Sequence, residues 1–210
     1  MVLTAHEPMT TRAPNRWVLA FSEGNRDMAD LLGGKGAGLA EMTRLGLPVP
    51  PGFIITTAAC RAFLTTGAEP VGLAAEVDQH LARLEANIGR RLGDPSDPLL
   101  VAVRSGARFS MPGMMDTVLN VGLTDDTVGG LARRSGERFA WDCYRRLVQM
   151  FGRTVMGVDG ARFEEALSEA RDRAGVATDN QLDAEALRDL VVAFRAIVRE
   201  ETGSDLPQNP

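Results

Sequence analysis

Short apolar runs, separated by glycine and proline, fill the first part of the chain up to about residue 123. Three of these runs predict buried strands, at residues 17–21, 53–56 and 99–103. Apolar residues at helical spacing predict helices between the strands, at residues 37–45, 57–64 and 73–88. Strands that alternate with helices are typical of an α/β fold.

After residue 123 the strand pattern gives way to amphipathic helices. We expect Thr124 to cap the first of them, with Asp125 and Asp126 in its first turn. Apolar residues at helical spacing predict three more helices, lined by Phe139, Cys143, Leu147 and Phe151, by Phe163, Ala166 and Ala170, and by Leu187, Leu190, Val191, Phe194, Ile197 and Val198. Asp183 is the expected cap of the last helix.

This change of pattern predicts four segments along the chain. Residues 17–123 form an α/β subdomain and residues 124–204 a helical subdomain, whereas residues 1–16 and 205–210 are loose ends. With 44% hydrophobic and 24% charged residues, a chain of this length buries a substantial core.

Charge and cysteine content narrow the function classes. A net charge of -5 and a pI of about 5.2 argue against broad attraction to nucleic acid or anionic membranes. Cys60 and Cys143 lie far apart and form no CxxC motif, which indicates reduced thiols rather than a disulfide frame. The polar residues 1–15 do not resemble a signal peptide, and no apolar run reaches the ~18 residues of a membrane span. We therefore expect a cytoplasmic protein.

Of the 23 lysine and arginine residues, Lys35 alone is a lysine, and it lies between Gly34 and Gly36. Glycines at the start of a helix bring backbone N–H groups and the positive end of the helix dipole together, where a phosphate binds well. Neither common phosphate loop matches, because Walker A needs Ser or Thr where Gly36 stands and the third glycine of GxGxxG falls on Leu39. Two interpretations stay open: a tight turn with a solvated lysine, or a phosphate-binding turn. The single lysine favours the second, since a planar guanidinium does not replace a compact ammonium group.

A second group of polar residues follows the strand predicted at residues 99–103. Arg104 and Ser105 lie at its C-terminal end, the edge at which α/β proteins bind ligands, and Arg108 adds a second cation. The next residues combine small, hydroxyl and thioether side chains: Ser110, Met111, Gly113, Met114, Met115 and Thr117. Methionines in such a loop either pack on a neighbouring surface or exclude water beneath a mobile loop that closes over phosphates.

Four stretches resemble the N-terminal nucleotide-binding domain of the pyruvate, phosphate dikinase family. They are GGKGAGLAEMTRLGLPVPPGFIITTAAC at residues 33–60, VAVRSGARFSMPGMMDTVLNVGL at 101–123, ERFAWDCYRRLVQMFGRTVMGV at 137–158 and TGSDLPQNP at 202–210. The related phosphoenolpyruvate synthases share the lysine loop and a VRS strand but differ where this chain reads SMPGMMDT. The resemblance extends over nearly the whole chain from about Trp17.

The resemblance implies an α/β (α+β) fold with an incomplete ATP-grasp lobe and an inserted helical subdomain at residues 124–204. It implies that Lys35 and Arg104 hold the phosphates of ATP and that residues 110–117 cover them. The expected ATP-binding residues are Gly34, Lys35, Gly36, Arg104, Ser105, Arg108, Ser110, Gly113 and Thr117. The family reaction converts ATP, phosphate and pyruvate into AMP, pyrophosphate and phosphoenolpyruvate through a phosphorylated histidine on a swivelling domain, with Mg²⁺ meeting phosphoryl charge.

By the same resemblance, the second ATP-grasp lobe with its acidic Mg²⁺ ligands, the phosphohistidine domain and the pyruvate-binding barrel lie elsewhere, in cis or in a partner chain. We therefore expect the chain alone to be inactive. We interpret His6 and His80 as structural or solvent-facing residues. The pairs Asp125–Asp126 and Glu164–Glu165 are expected to compensate helix dipoles rather than to bind a metal.

One function of another class stays open, a non-catalytic nucleotide-binding or protein-interaction module derived from such a domain. Lys35 and Arg104 favour the enzyme part, because a docking module has no use for a lone lysine on a glycine turn.

Overall fold

The computed structural model describes residues 16–106 and 117–210. Its strands are β1 (Val18–Ala20), β2 (Phe53–Ile55), β3 (Val101–Arg104) and β4 (Thr117–Val121). Its α-helices are α1 (Ala29–Arg44), α2 (Thr57–Thr66), α3 (Leu73–Ile88), α4 (Val128–Ser135), α5 (Glu137–Thr154), α6 (Gly160–Ala174) and α7 (Ala184–Thr202). The described residues divide into two compact units, residues 16–84 with Gly106 and residues 85–105 with 117–210.

In the first unit a two-stranded antiparallel sheet packs against α1. β1 and β2 pair in the register Val18↔Ile55, Leu19↔Ile54 and Ala20↔Phe53. The apolar cluster of this unit consists of Leu19, Leu32, Ala37 and Ala40, with Ile54 packed against it. α3 holds the start of β1, because Glu76 Oε2 accepts hydrogen bonds from the backbone N–H groups of Trp17 (2.9 Å) and Val18 (2.8 Å).

In the second unit α5 is central and packs against α4, α7 and β4. The pattern that predicted α7 is confirmed, since Leu187, Leu190, Val191, Phe194, Ile197 and Val198 are all buried. Asp183 caps α7 as expected, and its Oδ1 accepts a hydrogen bond from Ala186 N at 2.8 Å. β3 and β4 form an antiparallel hairpin that joins this core through Val118.

The fold class is α+β, because the strands form two separate antiparallel pairs among the described residues. The expectation of a fully buried strand at residues 99–103 is wrong: Leu99 is buried, but Val103 is 55% exposed and Arg104 lies at the surface. β3 has only β4 as its neighbour in the described sheet, so no second strand covers its outer edge.

Several predicted helix limits shift. α1 begins at Ala29 rather than at residue 37. Thr124 Oγ1 accepts a hydrogen bond from Thr127 N (3.3 Å), as a cap does, but the regular helix starts only at Val128. Phe139, expected in the core, is 53% exposed, and the neighbouring Ala140 is buried instead.

The C-terminal residues 205–210, expected to be loose, are anchored to the second unit. Leu206 is 5% exposed and belongs to the helical core. Gln208 Oε1 accepts a hydrogen bond from Asp125 N at 2.9 Å. The predicted subdomain limit after residue 123 stays a prediction, whereas compactness groups β3 and β4 with the helices, because Val118 and Leu123 pack into their core.

None of the helices in the described ranges is both long and apolar enough to cross a membrane.

Candidate functional site

Lys35 lies just after a kink in α1. Gly33 at the kink has φ 69° and ψ 165°, a conformation that only glycine adopts readily. The helical ladder is interrupted there, so backbone N–H groups from Gly34 onward begin a new helical segment. Gly34 is exposed and Lys35 half-buried. The glycine turn therefore places a cation at the start of a helical segment, the arrangement that suits a phosphate.

Gly36 has a packing role in this turn. A Cβ at this position would lie 3.0 Å from Ile54 Cδ1 and 3.2 Å from Leu32 Cβ. The absence of a side chain therefore lets α1 approach β2 closely. The predicted contact of Gly36 with ATP stays a prediction.

A shallow cleft of about 420 Å³ runs along one side of α1. It is lined by Arg26, Ala29, Gly34, Ala37, Gly38, Glu41 and Met42. A Cβ at Gly38 would meet nothing within 4 Å, so the helix backbone is accessible there. Lys35 is not part of the lining.

Glu41 supplies negative charge at the cleft. Its carboxylate accepts hydrogen bonds from Arg44 (2.6 Å and 3.1 Å) and from Arg26 N (3.2 Å). The Arg44 bond, followed by the Arg26 N–H, lowers the pKa of Glu41. The ionised carboxylate repels an anion, so the Gly34 end of the cleft suits a phosphate better than the Glu41 end.

In the second unit, the strand register brings two of the predicted residues together. Arg104, the last residue of β3, is paired with Thr117, the first residue of β4. Arg104 and the following Ser105 are exposed, and Thr117 is half-buried. The chain between them, residues 105–116, begins and ends at this pair. Arg108, Ser110 and Gly113 lie outside the described residues.

Asn120 was not predicted as a site residue, although it lies three positions after Thr117. Its φ of 61° is left-handed, and its Nδ2 donates a hydrogen bond to Cys143 O at 3.2 Å. Its signal in the sequence is weak, because an asparagine inside an apolar run is as typical of a turn as of a β-bulge.

The other candidates for chemistry take structural roles. His80 is 7% exposed, its Nδ1 lies 2.8 Å from Glu76 O, and its Nε2 lies 3.7 Å from Glu23 Oε2. His80 is therefore buried and not solvent-facing, and its structural role stays an interpretation, whereas His6 lies outside the described residues. Cys60 and Cys143 are both free thiols, as expected.

One residue of each acidic pair, Asp125 and Glu164, has a hydrogen-bond partner in the second unit. Asp125 accepts hydrogen bonds from the Tyr144 phenol (2.8 Å) and from Arg195 (2.5 Å). Glu164 accepts one from Gln149 Nε2 at 2.8 Å. Asp125 therefore does more than compensate a helix dipole, because it connects α7 and a buried side chain of α5.

Comparison with known proteins identifies the relatives of this chain. Residues 29–87 match the family model described as pyruvate phosphate dikinase, AMP/ATP-binding domain. The chain is 52% identical over 190 residues to pyruvate, phosphate dikinase 1, chloroplastic, of Arabidopsis thaliana, an alignment that covers 90% of this chain and 20% of the relative. It is 47% identical over 214 residues to pyruvate, phosphate dikinase 2 of Oryza sativa subsp. japonica, which covers 100% of this chain and 24% of the relative.

A third relative, pyruvate, phosphate dikinase, chloroplastic, of Flaveria trinervia, is 48% identical over 214 residues, covering 100% of this chain and 22% of the relative. The chain thus spans 20% to 24% of the length of these curated relatives. It is homologous to the N-terminal ATP-binding domain of pyruvate, phosphate dikinases, and the resemblance seen in the sequence motifs is confirmed.

Proposed function

We propose that this chain is the nucleotide-binding part of an enzyme that converts ATP, phosphate and pyruvate into AMP, pyrophosphate and phosphoenolpyruvate. The homology to the ATP-binding domain of pyruvate, phosphate dikinases supports the proposal. The observation that carries it is the position of Lys35 at the start of the helical segment that follows the Gly33 kink. In this fold, which we assign to the ATP-grasp type, residues 124–204 are an insertion.

The proposal assigns phosphate-binding groups to two stretches of the chain. In the first unit, the Gly34 and Gly36 N–H groups and the Lys35 ammonium meet phosphate oxygens. In the second unit, Arg104 supplies a guanidinium beside the Ser105 and Thr117 hydroxyls. The connection between Arg104 and Thr117, with Arg108, Ser110 and Gly113, covers the nucleotide.

We propose that Mg²⁺ binds together with ATP and is not held by side chains of the described residues. Within residues 16–106 and 117–210, no group of three or more His, Cys, Asp or Glu side chains is placed to hold a metal ion. The described residues therefore do not fit a protein-bound Mg²⁺. Its ligands would come from the phosphates and from residues beyond the described ones.

The full reaction requires further domains, supplied in the same polypeptide or by a partner chain. The relatives, each more than four times as long as the part that matches, are consistent with this requirement. We propose that the chain alone forms no phosphoenolpyruvate, and that it acts in the cytoplasm, which a fluorescent fusion would test. Several plant relatives are called chloroplastic.

Calorimetric titration of Mg·ATP into the purified chain tests the proposal. Wild type is compared with Lys35→Ala and with the control Arg83→Ala, which removes an exposed cation from α3 in the same unit. A charge-assisted hydrogen bond contributes roughly 1.5–3 kcal/mol, so Lys35→Ala should weaken binding at least about tenfold. Circular dichroism should show the same helix content in all three proteins.

Equal affinities of wild type and Lys35→Ala would contradict the role of the lysine. A wild type that binds no Mg·ATP would mean that the remaining parts of the site are required, and the titration would then move to the chain joined to those parts.

A further inference from the structure

Asn120 in β4 has a backbone conformation that its residue type adopts at a cost. Among the described residues it is the one non-glycine with a positive φ, at 61°. Asparagine tolerates this left-handed region better than most residues, but an ordinary strand position does not require it. Unusual backbone conformations of this kind persist only where the surroundings enforce them.

The conformation belongs to a β-bulge in the hairpin of β3 and β4. Val101 pairs with Val121 and Val103 with Val118, so two steps along β3 correspond to three steps along β4. The extra residue changes which side chains point inward. Val118 and Val121 both face the helical core, although residues three apart on a regular strand lie on opposite faces.

The side chain of Asn120 holds this bulge against α5. Its Nδ2 donates to the carbonyl oxygen of Cys143 at 3.2 Å, in the middle of that helix. A carbonyl oxygen only accepts hydrogen bonds, so the amide nitrogen must face it. The bond thus connects the bulge to the element at the centre of the second unit.

Both ends of β4 are held by packing, the C-terminal end more firmly than the N-terminal end. The strand makes the contacts at both ends only if it contains a bulge between them. At the C-terminal end, Leu123, Thr124 and Thr127 are buried, and Thr127 Oγ1 donates to Gly122 O at 2.9 Å. A Cβ on Gly122 would lie 2.4 Å from Leu99 O, so this end has no room to slide. At the other end Val118 is the one buried residue of the strand itself.

Loss of the bulge would therefore move the less firmly held end, which leads into residues 105–116. Val118 would turn out of the core, Leu119 would turn in, and Arg104 would face Val118 in place of Thr117. A shift of one residue reverses the face of every side chain in the moved part of the strand.

We propose that Asn120 is a positioning residue of the ATP site, which fixes the register that places Arg104 opposite Thr117. The assignment to ATP rests on the proposed function. The register itself does not, because it follows from the left-handed φ, the bulge and the bond to Cys143. Asn120 acts through Arg104 and Thr117 and touches no reacting atom.

Three substitutions separate the contributions of backbone and side chain. Asn120→Gly keeps the left-handed conformation and loses the amide. Asn120→Val excludes that conformation, because a β-branched residue with positive φ is a severe outlier. Asn120→Ala is the milder replacement to examine if the valine variant does not fold, and Asn87→Val on the exposed face of α3 is the control.

The register is measured by NMR in the labelled full chain. Wild type, Asn120→Gly and Asn87→Val should show cross-strand NOEs between Arg104 and Thr117. Asn120→Val, or Asn120→Ala in its place, should lose them and gain NOEs between Arg104 and Val118. Retention of the Arg104–Thr117 NOEs in both variants would overturn the proposal.

Titration of Mg·ATP provides the functional measurement. Asn120→Val should bind about tenfold more weakly or worse, since displacement of a binding group by about 1 Å costs up to 10²-fold. Asn120→Gly should remain within about threefold of wild type, a rescue that tracks the backbone conformation and not the general stability. If the register changes as expected while affinity does not, the proposed role in ATP binding is overturned. If wild type itself binds no Mg·ATP, the proposed function fails in the isolated chain, and the NOEs still decide whether Asn120 sets the register.

Discussion

The phenol of Tyr144, fully buried in α5, donates a hydrogen bond of 2.8 Å to the carboxylate of Asp125. Gln208 donates to the same phenol oxygen through Nε2 at 3.3 Å, and Arg195 pairs with Asp125. Burial raises the pKa of Tyr144 to about 12, and the neighbouring Asp125 carboxylate acts in the same direction.

This pKa predicts a measurable resistance to ionisation. Tyr144 is the single tyrosine of the chain, so phenolate absorbance reports on it alone. We expect native protein to titrate well above the denatured chain, whose tyrosine has a pKa of about 10. Asp125→Asn should lower the native midpoint, because it removes the negative charge and keeps an acceptor. Native and denatured curves that coincide would contradict the buried hydrogen bond.

The raised pKa of Tyr144 also makes the free energy of unfolding fall at high pH. The folded state holds the phenol proton more tightly, so its contribution to the free energy of unfolding is complete below about pH 10 and is lost as pH rises toward 12. Urea midpoints of wild type should therefore fall more steeply than those of Tyr144→Phe between about pH 10 and about pH 12.

Arg104→Ala is expected to lower the affinity for ATP while the fold persists. Arg104 is exposed at the end of β3, so its truncation should change the free energy of unfolding by less than about 1 kcal/mol. Its lost phosphate contact should weaken Mg·ATP binding at least about tenfold in calorimetry. Arg173→Ala, an exposed arginine of α6, serves as the control. Unchanged affinity in Arg104→Ala would remove this residue from the site.

Gly36 and Gly38 provide a matched pair on α1. Alanine at Gly38 meets nothing within 4 Å and gains helix propensity of up to about 1 kcal/mol. Alanine at Gly36 makes the same backbone gain but crowds Ile54 and Leu32. We expect Gly36→Ala to be less stable than Gly38→Ala by roughly 1–2 kcal/mol.

Urea unfolding followed by Trp17 fluorescence, in a Trp141→Phe background, reports on the first unit that contains both glycines. Equal stabilities of the two variants would show that α1 does not approach β2 as closely as described.

The sequence predicted best those elements whose pattern is local and regular. α7 has both a capping residue, Asp183, and an unbroken apolar stripe, so its first turn and its buried face were both predicted. α1 was predicted too short, because Gly33, Gly34 and Gly36 suggest a loop. The close contact of Gly36 with Ile54, which explains a glycine inside a helix, joins residues far apart in sequence.

β4 and the C-terminal residues were missed for a similar reason. The bulge at Asn120 breaks the alternation by which a strand is recognised, and Asn120 bonds to α5, which lies far along the chain. The candidate site likewise combines a feature that is visible in the local sequence with one that depends on distant contacts. A cation on a glycine turn is visible in the sequence, whereas the pairing of Arg104 with Thr117 depends on the hairpin register.

The anchored C-terminal end gives the sharpest test of such long-range contacts. The polar segment TGSDLPQNP suggests a loose tail, yet Leu206 fills a buried position in the helical core and Arg199 pairs with Asp205. Truncation of a buried leucine costs about 2–5 kcal/mol, because it loses burial and leaves a cavity. We expect Leu206→Ala to lower the free energy of unfolding by that amount, measured in urea by Trp141 fluorescence in a Trp17→Phe background. Val192→Ala, a truncation at a 66% exposed position of α7, should change it by less than about 0.5 kcal/mol. If both variants behave alike, Leu206 does not occupy the core in solution, and the tail is as loose as its composition suggests.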